Sequence, residues 1–240
     1  MSGAVRTPRN VLVTGATDGI GREMARLLAA RGDRVVTSGR RAMDEPIEGG
    51  THILADQSHP KDAAARVREA CEGIDVAILN AGTGTLASDG VEGADAIRRT
   101  LDVNLVATVL IAHALAPVLL ARGGTLALIG SVARGGMAGL PSYAASKAGL
   151  HGFARALGEE WRGRASVVML HPGPTRTAMQ AKAGVDVGRA ARLFVPQGLM
   201  ARALLARIDA AHGTRRPSIA TVAHGAALRR WAAERAGARA

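Results

Sequence analysis

The chain has 240 residues, of which 48% are hydrophobic and 21% charged, so it can bury a sizeable core within one large α/β domain. Its single cysteine, Cys71, excludes an intramolecular disulfide and is typical of a reducing compartment such as the cytoplasm. The net charge of +11 comes from arginines scattered along the chain, and aromatic residues make up only 2%, so a nucleic-acid surface with stacking rings is not expected.

Neither a secretory signal nor a membrane span is expected. The first ten residues are basic, but only a short apolar stretch follows them. The most apolar run, Leu105–Ala121, is interrupted by Thr108, His113 and Pro117 and falls short of a membrane-spanning helix. A cytoplasmic protein without a membrane partner is therefore expected.

Short apolar segments alternate with longer helical patterns along the chain. Strands are predicted at Asn10–Thr14, Arg34–Ser38, His52–Leu54, Asp75–Asn80, Gly124–Ile129, Ala165–His171 and Ser218–Val222. Helices are predicted at Gly19–Arg31, Pro60–Glu72, Ala94–Arg122, Ser142–Arg162, Pro196–His212 and Ala226–Ala236. This alternation indicates a Rossmann-like, doubly wound α/β fold, one domain over residues 1–240 with about seven parallel strands and helices on both faces. Ligands of such sheets bind beyond the carboxyl ends of the strands, so the residues after each strand are the candidate site.

The first strand ends in a glycine-rich turn, Thr14–Gly21, with the sequence T-G-A-T-D-G-I-G. Glycines at a strand-to-helix turn permit a tight bend and let the main chain approach a pyrophosphate, which the amides at the helix start then favour. The turn therefore predicts a dinucleotide cofactor. The residues expected to contact it here are Gly15, Thr17, Asp18, Gly19, Ile20 and Gly21.

The end of the second strand bears on which nicotinamide cofactor is used. An NAD site usually carries an acidic residue about 20 residues past the glycine turn, but no acid follows this strand until Asp44. Arg40, with Arg41, could instead pair with a 2′-phosphate, whereas the charge of Asp18 argues against that phosphate. NADP(H) is the preferred prediction, and NAD(H) is the alternative.

Tyr143 and Lys147 lie four residues apart on a predicted helix, so their side chains emerge on one face. A tyrosine has a pKa of about 10, too high for a base at neutral pH, and a nearby ammonium would lower that pKa. Tyr143 is the only tyrosine in the chain, and Lys147 is one of three lysines. The pair is therefore the candidate acid/base machinery.

Together, these motifs resemble the short-chain dehydrogenase/reductase family. The resemblance rests on T-G-x-x-x-G-I-G, Asn80-Ala81-Gly82, Ser131 and the run from Tyr143 to Lys147, and it covers Val11–Thr177. It implies hydride transfer between a nicotinamide and a carbonyl or secondary alcohol, with Tyr143 giving its proton to the carbonyl oxygen in the reducing direction.

Two further catalytic residues are implied by the resemblance. Ser131, just after the fifth strand, would hold the substrate oxygen near Tyr143; this role is favoured, and a serine that only forms a turn or helix cap is the alternative. Asn104, on the long helix, would position a water that links Lys147 to solvent. A buried asparagine needs hydrogen-bond partners, and an irregularity of the helix would supply them.

The resemblance also extends the expected cofactor site. Asn80 would tie neighbouring strands together, while the main chain at Ala81 and Gly82 approaches the ribose; Leu79 replaces the first of the two asparagines more common in the family. Asp56 would approach the adenine amino group. The segment after the sixth strand, Pro172, Gly173 and Thr175, would shape the nicotinamide end, with Thr175 bonding the carboxamide.

The substrate region is expected around a lid at about residues 177–196. Met137, Leu140, Met179 and Phe194 could line an apolar cavity or belong to the core, so the substrate is expected only to be a small carbonyl compound or alcohol. No metal site is expected, because His113, His151 and His171 lack ligand spacing.

A homodimer is expected, because relatives commonly pair through the two long helices. Their apolar positions here are Leu105, Val109 and Leu115 on one, and Leu150, Phe153 and Leu157 on the other. A tetramer is the alternative, although the basic tail helix would repel its copy across a two-fold axis.

Two other functional classes were compared with this interpretation. A catalytically silent dinucleotide-binding sensor would keep the glycine turn and lose Tyr143 or Lys147, but both are present. A nucleotide-sugar epimerase or dehydratase would need a larger carboxyl-terminal domain than follows the sixth strand.

Overall fold

Seven parallel strands form the central sheet of the computed structural model, which describes residues 7–87, 89–178 and 194–222. In chain order the strands are β1 (Asn10–Thr14), β2 (Arg34–Gly39), β3 (Thr51–Leu54), β4 (Val76–Leu79), β5 (Thr125–Ile129), β6 (Ser166–Pro172), β7 (Thr175–Arg176), β8 (Val195–Pro196) and β9 (Pro217–Val222). The sheet order is β3-β2-β1-β4-β5-β6-β9, and β7 and β8 form a separate parallel pair. The doubly wound sheet of seven strands is thus confirmed, whereas the β7–β8 pair was not predicted.

Helices cover both faces of the sheet. They are α1 (Gly19–Ala30), α2 (Pro60–Ala70), α3 (Ala94–Leu101), α4 (Ala107–Arg122), α5 (Pro141–Glu160) and α6 (Gln197–Ala211). One core cluster joins the sheet to α1 and α6, and the other joins it to α2, α4 and α5. Strands β1, β4, β5 and β6 are buried along almost their whole length, as the central strands of a parallel sheet covered on both faces must be.

The predicted long helix is continuous from Ala94 to Arg122 but contains a π-helical turn at Asp102–Val106, between α3 and α4. By length and composition this 29-residue helix could cross a membrane, contrary to the expectation from the apolar run alone. Its inner face packs into the core, and 39% of its most apolar window is buried in the structure. Core helices of soluble proteins have the same properties, so this finding assigns no membrane role.

Several expectations fall outside the described residues. These are Met179, most of the lid at 177–196 and the basic helix Ala226–Ala236. Of the six apolar positions expected to pair two subunits, Leu115 and Leu150 are buried in the core of the single chain, so that part of the expectation was wrong. The other four are only partly buried, or lie at the edge of the core.

Candidate active site

The glycine turn after β1 requires glycine at several positions. Gly15 and Gly19 have φ angles of +65° and +58°, in the left-handed region that disfavours a side chain. A Cβ on Gly15 would lie 2.7 Å from Ala81 Cα, and one on Gly21 would lie 2.4 Å from Asn80 Nδ2. The turn is therefore packed tightly against the residues that follow β4.

Asp18 begins α1 as its N-cap, and its carboxylate accepts a hydrogen bond from the Gly19 amide at 2.7 Å. Thr17 packs over the end of β2, because a Cβ on Gly39 would lie 2.6 Å from Thr17 Cγ2. Ile20 is partly buried against the core. The turn thus lies between the ends of β1, β2 and β4, with the start of α1 at the carboxyl edge of the sheet.

Asn80 links the ends of β1 and β4, as expected from the resemblance. Its Nδ2 donates to the carbonyl oxygens of Thr14 and Gly15 at 3.1 and 3.3 Å. The Thr14 hydroxyl accepts from the amides of Asn80 and Ala81 at 3.0 and 3.2 Å. Thr14 was not among the predicted site residues, although it opens the glycine motif.

The end of β2 places Arg40 on the surface near Asp56. Burial raises the pKa of Asp56, but the hydrogen bonds from the Ser58 amide and hydroxyl, with the charges of His59 and Arg40, bring that pKa below its usual value. Arg41 forms an exposed ion pair with Asp44 at 3.5 Å. Arg40 is therefore the better placed of the two arginines to meet a phosphate.

Tyr143 and Lys147 are both buried on the inner face of α5. Lys147 Nζ lies 5.8 Å from the centroid of the Tyr143 ring and donates to the Ile129 carbonyl oxygen at 3.0 Å. A Cβ on Gly82 would lie 3.5 Å from Lys147 Nζ and 3.4 Å from Asn104 Oδ1, so glycine keeps the approach to both groups open. The structure thus brings these predicted residues together at one edge of the sheet.

The pKa values of the pair follow from burial. Desolvation lowers the pKa of Lys147 to about 8. Burial also raises the pKa of Tyr143, and a hydrogen bond from Ser131 offsets part of that rise. The expectation that Lys147 brings the pKa of Tyr143 below its ordinary value was therefore wrong for the protein alone, because desolvation of the phenolate is the larger effect.

Ser131 combines the two roles that its position suggested. Its hydroxyl oxygen accepts from the Ala133 amide at 3.1 Å and so caps the short 3-10 turn Val132–Gly135. The same hydroxyl forms the hydrogen bond that lowers the pKa of Tyr143. Ser131 is thus oriented by its own turn toward the phenol.

Asn104 lies within the π-helical turn and is fully buried. Its Oδ1 accepts from the Thr83 amide at 2.7 Å, and its Nδ2 donates to the Thr83 carbonyl oxygen at 2.8 Å and to Ser146 Oγ at 3.0 Å. The helix irregularity expected around this asparagine is confirmed. The side chain ties the segment after β4 to α5.

The three predicted residues after β6, Pro172, Gly173 and Thr175, are buried at the carboxyl edge of the sheet. Pro172 closes β6, and the Gly173 amide donates to the Val222 carbonyl oxygen at 3.2 Å. Thr175 is buried, and its hydroxyl donates to the Gly173 carbonyl oxygen at 2.9 Å. Its expected bond to a carboxamide stays a prediction.

Sequence reasoning missed three contacts made by residues of α5. Ser146 donates to the Tyr143 carbonyl oxygen at 2.7 Å. The side chains of His151 and His171 contact each other, with Nδ1 and Nε2 3.0 Å apart. Glu92 contacts Ser142 at the start of α5. The one-turn spacing of Lys147 and His151 was a usable signal for the histidine pair, but nothing in the sequence links Glu92 to α5.

The described residues contain neither a cluster of metal ligands nor a reactive thiol. No group of three or more potential metal ligands occurs in the described part of the chain. Burial raises the pKa of the Cys71 thiol to about 12, so it is held as the neutral thiol.

Comparison with known proteins agrees with this site. A family model described as short chain dehydrogenase matches residues 9–187. The uncharacterized oxidoreductase YciK of Escherichia coli is 31% identical over 194 residues, which cover 73% of this chain and 77% of that protein. The chain therefore belongs to the short-chain dehydrogenase family of oxidoreductases.

Solved structures show the same architecture. A protein of Beutenbergia cavernae, assigned provisionally as an NAD(P) dependent gluconate 5-dehydrogenase with NADP bound at low occupancy, is 30% identical with a TM-score of 0.81, over 93% of this chain and 98% of that one. A short-chain dehydrogenase of Sphingobium yanoikuyae in complex with NADPH is 27% identical with a TM-score of 0.76, over 97% of this chain and 93% of that one.

Proposed function

We propose that the protein is an NAD(P)H-dependent oxidoreductase that interconverts a ketone and a secondary alcohol by hydride transfer, with Tyr143 as the acid/base. The observation that carries the proposal is the burial of Tyr143 beside Lys147, next to the glycine turn and Ser131. Burying an ammonium is costly, so a lysine held at such an edge favours a catalytic role over a structural one.

The residues present fit a nicotinamide dinucleotide. The left-handed glycines leave the start of α1 free of side chains that would block a pyrophosphate, and Gly82 leaves open the space beside Lys147. When bound, the cofactor would supply or accept the hydride. Ala81 and Gly82 would contact the ribose, and Pro172, Gly173 and Thr175 would shape the nicotinamide end.

Tyr143 would donate its proton to the carbonyl oxygen in the reducing direction. Because its pKa lies above the ordinary tyrosine value, the phenol is protonated at neutral pH and so carries the proton to be donated. In the oxidising direction, the Lys147 ammonium would stabilise the phenolate. Because the pKa of Lys147 is about 8, this lysine can release and regain a proton near neutral pH and so return Tyr143 to its starting state.

Ser131 and Asn104 would complete the machinery. The Ser131 hydroxyl, already directed toward Tyr143, would hold the substrate oxygen. Asn104 would maintain the π-helical turn beside Lys147 and, as the family resemblance implies, position a water through which the lysine exchanges protons with solvent.

NADP(H) is the proposed cofactor, with NAD(H) as the alternative. Arg40 is exposed at the end of β2, where its charge reaches Asp56 on the adenine side of the site. The bound NADP and NADPH in the two solved relatives agree with this choice. A guanidinium at this position would form charge-assisted hydrogen bonds with a 2′-phosphate.

The proposed substrate is a small, largely apolar carbonyl compound. Leu140 is buried with Ala133 and Tyr143 in a small apolar cluster, whereas Met137 is 49% exposed beside it. Phe194 is partly buried. Leu140 and Ala133 give the space near Tyr143 an apolar lining on one side.

The proposed assembly is a homodimer through α4 and α5. Val106 is 40% exposed, and Phe153 and Leu157 are only partly buried in the single chain. Covering such an apolar helix face is the usual reason for two-fold pairing.

A silent dinucleotide-binding sensor is the second candidate, and turnover separates the two. A panel of ketones and secondary alcohols, assayed with NADPH and NADH, is expected to show cofactor oxidation or reduction. The sensor would be favoured if the protein binds NADPH but turns over no compound of the panel. In that case the Tyr143→Phe variant should bind NADPH as the wild type does and also show no turnover.

A further inference from the structure

Glu92 holds the first turn of the helix that carries Tyr143. The Glu92 carboxylate accepts from the Ser142 amide at 2.9 Å through Oε2 and from the Ser142 hydroxyl at 2.7 Å through Oε1. Ser142 is buried and is the second residue of α5, immediately before Tyr143. An amide in the first turn has no acceptor within its own helix, and a carboxylate is favoured at this end of the helix dipole.

The same connection packs against Tyr143 itself. A Cβ on Gly84 would lie 3.2 Å from Tyr143 Cδ2, so the main chain of Gly84 covers one side of the ring. Further along, the Ala87 amide donates to the Gly139 carbonyl oxygen at 2.9 Å. A Cβ on Gly139 would lie 2.7 Å from Leu86 Cδ1. Residues 84–87 and Glu92 therefore contact the chain from Gly139 to Tyr143.

Tyr143 lies near the start of α5, where a helix frays most readily because its first amides lack intrahelical partners. Its ring is held by Gly84 on one side, and its phenol is bonded by Ser131. Glu92 is the only group in the described residues that bonds both the amide and the side chain of the residue next to Tyr143. No cation among the described residues forms an ion pair with Glu92, so both carboxylate oxygens act on α5.

We propose that Glu92 is a positioning residue for Tyr143: through Ser142 it fixes the first turn of α5 and thereby the place of the phenol. The proposal rests on the proposed function, because positioning matters only if Tyr143 is the acid/base. A shift of a catalytic group by a fraction of an ångström is enough to lower turnover, whereas most of the expected cofactor contacts, other than Tyr143 and Lys147, lie on elements other than α5.

The test uses the full chain and the fact that Tyr143 is its only tyrosine. Tyrosine labelled with ¹³C at Cζ gives one resonance, whose pH titration reports Tyr143 alone. Glu92→Ala is expected to bring the midpoint down toward the ordinary tyrosine value, because a loosened turn hydrates the ring and a negative charge is lost. Glu72→Gln, at an exposed glutamate, is the matched control and should leave the midpoint unchanged.

Turnover is the second readout. Glu92→Ala is expected to lower kcat by roughly 10-fold, and Ser142→Ala by less, while KM for NADPH changes by less than about 2-fold. Glu92→Ala breaks both hydrogen bonds and Ser142→Ala only the one from the hydroxyl, so the double variant should lose no more than Glu92→Ala alone. Ser142→Thr keeps the hydroxyl and should retain most of the wild-type kcat.

The outcomes separate this proposal from the proposed function. An unchanged Tyr143 titration and kcat in Glu92→Ala would overturn the positioning role. If that variant does not fold, Glu92→Gln and Ser142→Ala decide in the same way. A shifted titration in a protein that turns over no carbonyl compound would show that Glu92 holds the Tyr143 ring in place, and it would reject the proposed function and with it the catalytic purpose of that placement.

Discussion

Asn104 Nδ2 donates to Ser146 Oγ at 3.0 Å, and this hydroxyl in turn donates to the Tyr143 carbonyl oxygen at 2.7 Å. The π-helical turn is thereby bonded to the main chain of α5 through two buried side chains. Asn104 also bonds the amide and carbonyl of Thr83, in the connection that follows β4. One asparagine thus joins three elements around Lys147.

Asn104→Leu is expected to lower the free energy of unfolding by about 2–4 kcal/mol, because the partly buried amide and carbonyl of Thr83 and the buried Ser146 hydroxyl each lose a partner. Urea denaturation measures the change. Ser146→Ala, which removes the hydroxyl but keeps both contacts of Asn104 with Thr83, is the control and should cost about 1 kcal/mol. Equal stability of Asn104→Leu and the wild type would contradict this account of the π-helical turn.

Arg40→Ala is expected to weaken NADPH binding by roughly 1–3 kcal/mol and to leave NADH nearly unaffected, because only NADPH offers a 2′-phosphate. Fluorescence titration with each cofactor gives the comparison. Arg41→Ala is the matched control, since Arg41 is paired with Asp44 on the surface. Equal losses for both cofactors, or a wild-type preference for NADH, would refute the assignment.

The pair of His151 and His171 should make stability depend on pH. His171 is fully buried, and burial, with the charges of Arg134, His151 and Lys147, lowers its pKa to about 4. The unfolded chain takes up the proton at about pH 6.5, so the native state resists protonation between pH 6.5 and 4 and loses stability, on the order of 3 kcal/mol, as the pH falls through that window.

Urea denaturation at several pH values tests this histidine effect. His171→Gln should flatten the dependence between pH 6.5 and 4, although the variant is less stable overall. His113→Gln, at an exposed histidine, is the control and should follow the wild type. The same slope for His171→Gln as for the wild type would show that other groups cause the loss.

Val106→Arg combined with Phe153→Glu is expected to convert the proposed dimer into monomers, because both positions lie on the apolar outer part of the long helices. Light scattering coupled to chromatography reports the mass. Deletion of residues 226–240 should leave the dimer intact. A monomeric wild type would contradict the proposed assembly, and a tetramer that survives the deletion would contradict the argument about the tail.

Sequence patterns predicted the fold because each central strand is a short, largely apolar run and each major helix has an apolar face or a glycine boundary. The site residues that follow strands were predictable for the same reason: Asn80 and Ser131 lie where parallel strands end. The π-helical turn was anticipated only because a polar Asn104 stands in an apolar helix.

Contacts between distant loops were not predictable. Glu92 and Ser142 are 50 residues apart and belong to no shared motif, so only the three-dimensional structure joins them. The direction of the Tyr143 pKa was also misjudged, because the sequence shows the nearby Lys147 but not the burial of both groups. The positions of Leu115 and Leu150 were misjudged as well: their spacing along the helices is that of residues expected at a subunit contact, but both face the core of the single chain.

The most direct test of the central claim is the Tyr143→Phe variant, which removes one hydroxyl and keeps the ring packed against Gly84 and Leu140. NADPH binding is measured by fluorescence titration and turnover by cofactor absorbance, with a ketone that the wild type reduces. We expect NADPH affinity within about 2-fold of the wild type and a kcat lowered by roughly 10²–10⁴-fold, the range of general acid catalysis. Near-wild-type turnover in Tyr143→Phe would contradict the assignment of Tyr143 as the acid/base.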